Sequence, residues 1–96
     1  MLIQKLYVIK DNKVEAFTKP FFERNADTGI RIVDRLVVEP DTEYSMFPED
    51  FSLFEIGVLN LVDGSFVAHA APVHVINFWE RGPKAKIAEL KEAKQG

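Results

Sequence analysis

The sequence predicts a small α+β fold: an antiparallel sheet of four or five strands, one main helix packed on one face, and a short C-terminal helix. Three observations carry this. Two β-rich stretches precede a single run with helical spacing, and two or three more strand-like stretches follow it. The junctions hold residues suited to tight turns. The chain has 96 residues, 47% of them hydrophobic, which fits one domain with one core. A distorted OB-like barrel is the alternative for the same element order. Residues 1–82 read as one α+β domain and 83–96 as a basic C-terminal helix or tail.

The first strand, 2–10, is rich in β-formers: Ile3, Leu6, Tyr7, Val8 and Ile9. Asp11-Asn12 tolerates the left-handed backbone of a hairpin turn, so 13–18 reads as the second strand. Pro20 then breaks the ladder, because it has no amide hydrogen to donate. Asn25 is a good N-cap with Asp27 in the first turn, and Ala26, Ile30, Val33 and Val37 recur at helical spacing. The main helix therefore spans 25–38, with Leu36-Val37-Val38 able to end it early. Gly29 would let a neighbouring element approach. Residues 39–50 are an acidic loop, and 51–59 a third strand. Asp63-Gly64 turns it into a return strand at 65–69. Pro72 interrupts, and 73–79 reads as a fifth, edge-like strand. Gly82-Pro83 opens the short helix, whose only large apolar residues are Ile87 and Leu90. The expected core is Ile30, Val33, Leu53, Phe54 and Ile56.

Composition narrows the function classes. There is no cysteine, so neither disulfides nor thiolate chemistry is available, which suits a reducing cytoplasm. No apolar run approaches the ~20 residues that span a bilayer, so no membrane partner is expected. Net charge is −3, unevenly spread: residues 1–38 carry +2, residues 39–80 carry −8 with no Lys or Arg, and residues 81–96 carry +3. Such asymmetry marks a polyanion-binding face or a partner surface, or simply drifts in an acidic protein. The acidic balance argues against strong non-specific DNA binding.

Catalytic and metal constellations are thin. His69 and His74 are five apart, too few ligands for a metal site, so neither a metal nor another cofactor is expected. The five glycines are scattered and build no phosphate cradle. Ser45, Ser52 and Ser65 lack the flanks of a nucleophile elbow. The chain is therefore read as a non-enzyme. The better lead is aromatic residues among bases. Tyr7, Phe17, Phe21 and Phe22 lie among Lys5, Lys10, Lys13, Lys19 and Arg24, as in grooves that hold single-stranded nucleic acid. The same residues also read as core rings and edge-guarding lysines. Arg24, Arg31 and Arg35 are spaced to share one helix face, with Asp27 and Asp34 beside them as competing ion-pair partners. The candidate nucleic-acid residues are thus Lys13, Lys19, Arg24, Arg31 and Arg35. Pro48, Glu49 and Asp50, within the acidic loop 39–50, are the candidate partner-binding residues.

Several segments taken together resemble a known family. Phe17-Thr18-Lys19-Pro20-Phe21-Phe22 leads to Arg24-Asn25 and then Gly29-Ile30-Arg31. Pro48-Glu49-Asp50-Phe51-Ser52-Leu53-Phe54 follows, then Ile56-Gly57 and an acidic turn closed by Gly64. This order resembles the small non-structural protein of gokushoviruses, tailless icosahedral phages with circular single-stranded DNA. The likeness covers about residues 5–66. It implies a non-capsid protein of the host cytoplasm with a DNA-binding role in genome replication, and no catalytic motif. Leu36-Val37-Val38 and the stretch from Val67 on, with Trp79 and the basic tail, depart from the short acidic C-termini typical of that family. The expected partner is single-stranded DNA, with a viral or host replication protein as the alternative and a homodimer compatible with both. A minor enzyme of nucleic-acid metabolism is the third reading.

Overall fold

The computed structural model describes residues 2–83 and 85. The fold is α+β, with a curled antiparallel sheet and one main helix. The strands are β1 (Ile3–Asp11), β2 (Ala16–Phe17), β3 (Phe21–Glu23), β4 (Phe51–Asn60) and β5 (Phe66–Asn77). Their order is β2-β1-β4-β5, and β3 pairs with the same edge of β1 as β2 does. Among the described residues β2 and β3 therefore form one interrupted edge strand and β5 forms the other edge.

The hairpin differs from the expected one. Asn12–Glu15 are all turn, and the second strand shrinks to two residues. Asp11 Oδ1 accepts from the amides of Lys13 and Val14, and Glu15 takes a positive φ of 57°, so a wider turn replaces the two-residue one. Thr18 bridges the gap before Pro20. Its amide donates to the Ile9 carbonyl at 2.8 Å, and its Oγ1 accepts from the Ile9 amide at 3.0 Å. Pro20 thus interrupts the edge without ending it, and β3 resumes pairing with β1.

Helix α1 (Ala26–Leu36) begins where its cap predicts. Asn25 Oδ1 accepts from the Thr28 amide at 3.0 Å, and Thr28 Oγ1 accepts from the Asn25 amide at 3.2 Å. This reciprocal box satisfies two amides that an open helix end would leave unpaired. The helix lies on the sheet face formed by Tyr7, Ile9, Phe51 and Leu53, and these pack with Val33, Val37 and Phe78 into the core. Tyr44, Phe51 and Phe78 stack against one another, with ring centroids 4.7–5.9 Å apart.

Of the expected core, Val33 and Leu53 are fully buried. Phe54 is not in that core, because neighbours on a strand point to opposite faces and Leu53 takes the helix side. Ile30 is half-buried at the helix margin, and Ile56 is half-buried where the β4 register shifts between Glu55 and Gly57. The acidic segment is not all loop. It folds a one-turn helix α2 (Glu43–Met46), capped by Thr42, and a 3-10 turn at Pro48–Asp50. The return strand and the expected fifth strand are one strand, β5. Pro72 lies in a bulge on the sheet edge, where Ala68 pairs with Gly57 and Val73 with Glu55. A missing amide is tolerated at such a position. Pro83 and Ala85 are helical, and the remainder of the expected C-terminal helix, with Ile87 and Leu90, lies outside the described residues.

Candidate functional site

The five candidate DNA-binding cations do not form one cluster. Lys13 sits in the β1–β2 turn, Lys19 in the link between β2 and β3, and Arg24 between β3 and α1. These three follow the β2–β3 edge of the sheet. Arg31 and Arg35 lie on α1 and, with Glu23, Thr28, Ile32 and Asp34, line a shallow groove on the helix side. All five are exposed, and none makes an ion pair with a described residue. Asp34, the expected competitor for Arg35, turns instead to Arg81. Both guanidinium contacts are short, Nε to Oδ1 at 2.7 Å and Nη2 to Oδ2 at 2.9 Å. The fork-to-carboxylate bonds hold the Asp34 carboxyl below its ordinary range, against some burial.

The acidic candidates sit around the 3-10 turn. Pro48 is buried, Asp50 is half-buried with its carbonyl accepting from the Asn12 amide, and Glu49 is exposed. Phe47 beside them is 47% exposed.

Tyr7, Phe21, Phe17 and Phe22 separate by strand alternation. Tyr7 and Phe21 pair on the helix side, their rings 6.1 Å apart. Phe17 and Phe22 point to the opposite face, which no described element covers, and are 48% and 50% exposed. Phe54 joins them there, with its ring 5.9 Å from Phe17 and 5.4 Å from His74, edge-on to both. Lys10 Nζ lies 5.9 Å from the Phe17 centroid, a cation–π distance. Phe66 extends the face along β5, its ring over Gly57, where a Cβ would lie 2.4 Å away. Sequence reading missed Phe54, Phe66 and His74. Strict alternation about Leu53 could have found Phe54, but His74 depends on a register that bulges.

Both histidines are engaged. His69 Nε2 lies 2.6 Å from Glu55 Oε2, and Lys5 Nζ lies 3.2 Å from the other oxygen. Burial disfavours the Glu55 charge, but the hydrogen bonds from His69 and Lys5 outweigh it and hold the carboxyl below its ordinary range. Burial, and then the same carboxylate, push the Tyr7 hydroxyl far above its usual value. On the open face, Asn12 Nδ2 donates to Ser52 Oγ, which donates to Asn77 Oδ1 at 2.9 Å. His74 Nε2 lies 2.9 Å from that same oxygen, within hydrogen-bond distance. Ser52 thus faces amides rather than a base. Among the described residues no group of three or more His, Cys, Asp or Glu is placed to hold a metal ion, and no helix is long and apolar enough to cross a membrane.

The fold and this surface define a small α+β protein whose helix covers one sheet face and whose other face is aromatic and, among the described residues, uncovered. The chain belongs to the Phage ORF5 protein family, whose model matches residues 4–81. It is therefore a phage protein. No curated protein and no solved structure shows a significant match to it.

Proposed function

We propose that this phage protein is a non-structural accessory factor of single-stranded DNA genome replication, acting in the host cytoplasm and binding single-stranded DNA weakly and without sequence preference. One observation carries the reading. Asp34 is committed to Arg81, which leaves Arg31 and Arg35 exposed on α1 without a described ion-pair partner. Unpaired guanidinium groups are suited to phosphate oxygens. The family supports a phage context, and the resemblance to the gokushovirus non-structural protein supports a single-stranded genome.

The test is a titration of labelled single-stranded DNA at two salt concentrations. Affinity should fall with salt at a log–log slope of about −0.7 per phosphate contacted. Changing Arg24, Arg31 and Arg35 together to Gln should weaken binding and flatten that slope. Unchanged affinity, or none for the unmodified protein at low salt, removes the reading.

A second reading rests on Phe47, half-exposed beside Glu43 and Glu49. An apolar ring within an acidic segment suits a basic groove on a viral or host replication protein. Capture of such a partner by the unmodified protein but not by Phe47→Ser would favour it.

A further inference from the structure

The open sheet face differs from the arginine groove in position and chemistry. Helix α1 lies against one side of the sheet, where Gly29 meets Leu53 and Tyr7. Phe17, Phe54 and His74 stand on the other side. Strand register puts no carboxylate there. Asp11, Glu23 and Glu55 pair in register with Ala16, Lys5 and Tyr7, all helix-side positions. In a chain of net charge −3, a face whose described strand positions carry one lysine, one histidine and no acid is a local exception.

We infer that this face is a second nucleic-acid site, one that holds unpaired bases by stacking on Phe17, Phe54 and His74, with Phe22 and Phe66 extending the platform. The inference rests on the single-stranded DNA reading and names the part of the ligand that this face takes. Three features select a base over another apolar occupant. Three rings, on β2, β4 and β5, form a connected series rather than a smooth aliphatic patch, and every base has a π-face to offer such rings. Lys10, over Phe17, supplies one positive charge where a phosphate would follow the base. The Asn12–Ser52–Asn77–His74 chain ends the aromatic row with polar atoms that a base edge can meet. Lys13 and Lys19 stand along the β2–β3 edge that borders the face, so a backbone leaving it meets positive charge.

The described residues give the face too few cations to hold a duplex, whose bases are inaccessible and whose binding rests on phosphates. It therefore discriminates unpaired from paired DNA, which the arginines alone would not do.

The experiment uses the full chain and three probes of equal length: an oligothymidylate, its abasic sugar-phosphate counterpart, and a duplex. The unmodified protein should bind the oligothymidylate about tenfold more tightly than either of the others. Phe17→Leu should remove most of that difference and leave abasic binding unchanged. Phe22→Leu, at an equally exposed ring, serves as a second variant, and circular dichroism melts confirm that both fold. Equal binding of all three probes overturns the inference while the DNA reading survives. Binding to none of them overturns both. A dimer in sedimentation that dissociates on Phe17→Leu also overturns it, since the face would then be covered by a second copy.

Discussion

Leu53 shows how one residue ties the two layers together. It is fully buried on β4 and faces Gly29 of α1. Leu53→Ala should cost ~2–5 kcal/mol in a denaturant melt, because the transfer loss adds to a cavity between two elements that cannot close over it. A loss below ~1 kcal/mol would mean that the helix does not sit on this strand. Glu55 behaves differently. Its carboxyl lies below the ordinary 4.5 in the folded chain, so it adds stability above that value. That contribution disappears as pH falls through the lower folded value. Urea melts at about pH 6 and about pH 3 should show a smaller acid loss for Glu55→Gln than for the unmodified chain. The acid limb will not vanish, because Asp34 is shifted in the same direction. Asp34 and Arg81 are each about 40% exposed, however, and solvent screens that pair.

At the scale of elements, the two glycines in the paired layers have opposite roles. Gly29 was expected to let a neighbouring element approach closely. An added Cβ there would sit 3.4 Å from Leu53 and 3.6 Å from Tyr7, which is ordinary contact. Gly29→Ala should therefore be neutral or raise stability by up to ~1 kcal/mol through better helix propensity. At Gly57 the same methyl would meet the Val67 carbonyl at 2.7 Å and the Phe66 ring at 2.4 Å. The ring can move but the backbone oxygen cannot, so Gly57→Ala should destabilise the β4–β5 hairpin and lower the melting temperature. Asn25→Ala should cost ~0.5–2 kcal/mol, since it removes one half of the reciprocal cap. These changes are local, and thermal melts of the three single variants rank them. The helix start was legible because a cap is contained in four consecutive residues, Asn25 to Thr28. The β5 strand was not, because Pro72 reads locally as a break. Only its place at a sheet edge, beside a bulge, makes it harmless.

For the whole molecule, the arrangement of charge and rings decides what the protein can hold. The sheet separates the groove of Arg31 and Arg35 from the aromatic face, and the β2–β3 edge with Lys13, Lys19 and Arg24 lies between them. A strand of DNA that engages both must pass over that edge. Combining the arginine changes with Phe17→Leu should then lower affinity by more than either set alone, as anisotropy titrations would report. The melting temperature should not change in chelator, because His69 is held by Glu55 and His74 by Asn77. A drop of several degrees would mean that a metal supports the fold.

Local chemistry was enough for the α+β class, the cap of α1, the turn at Gly64 and the start of β4, because each depends on a few adjacent residues and a short-range period. It was also enough to mark Phe17 and Phe22 as rings among bases, and the chain as a phage protein. What required the folded chain was every choice between faces. Tyr7 and Phe21 went to the core while Phe17 and Phe22 stayed in solvent, and Asp34 left its neighbour Arg35 for Arg81, 47 residues away. Strand alternation assigns two faces but does not say which one the helix covers, and ion pairing depends on distances that sequence spacing does not contain. The open aromatic face is the product of those long-range choices.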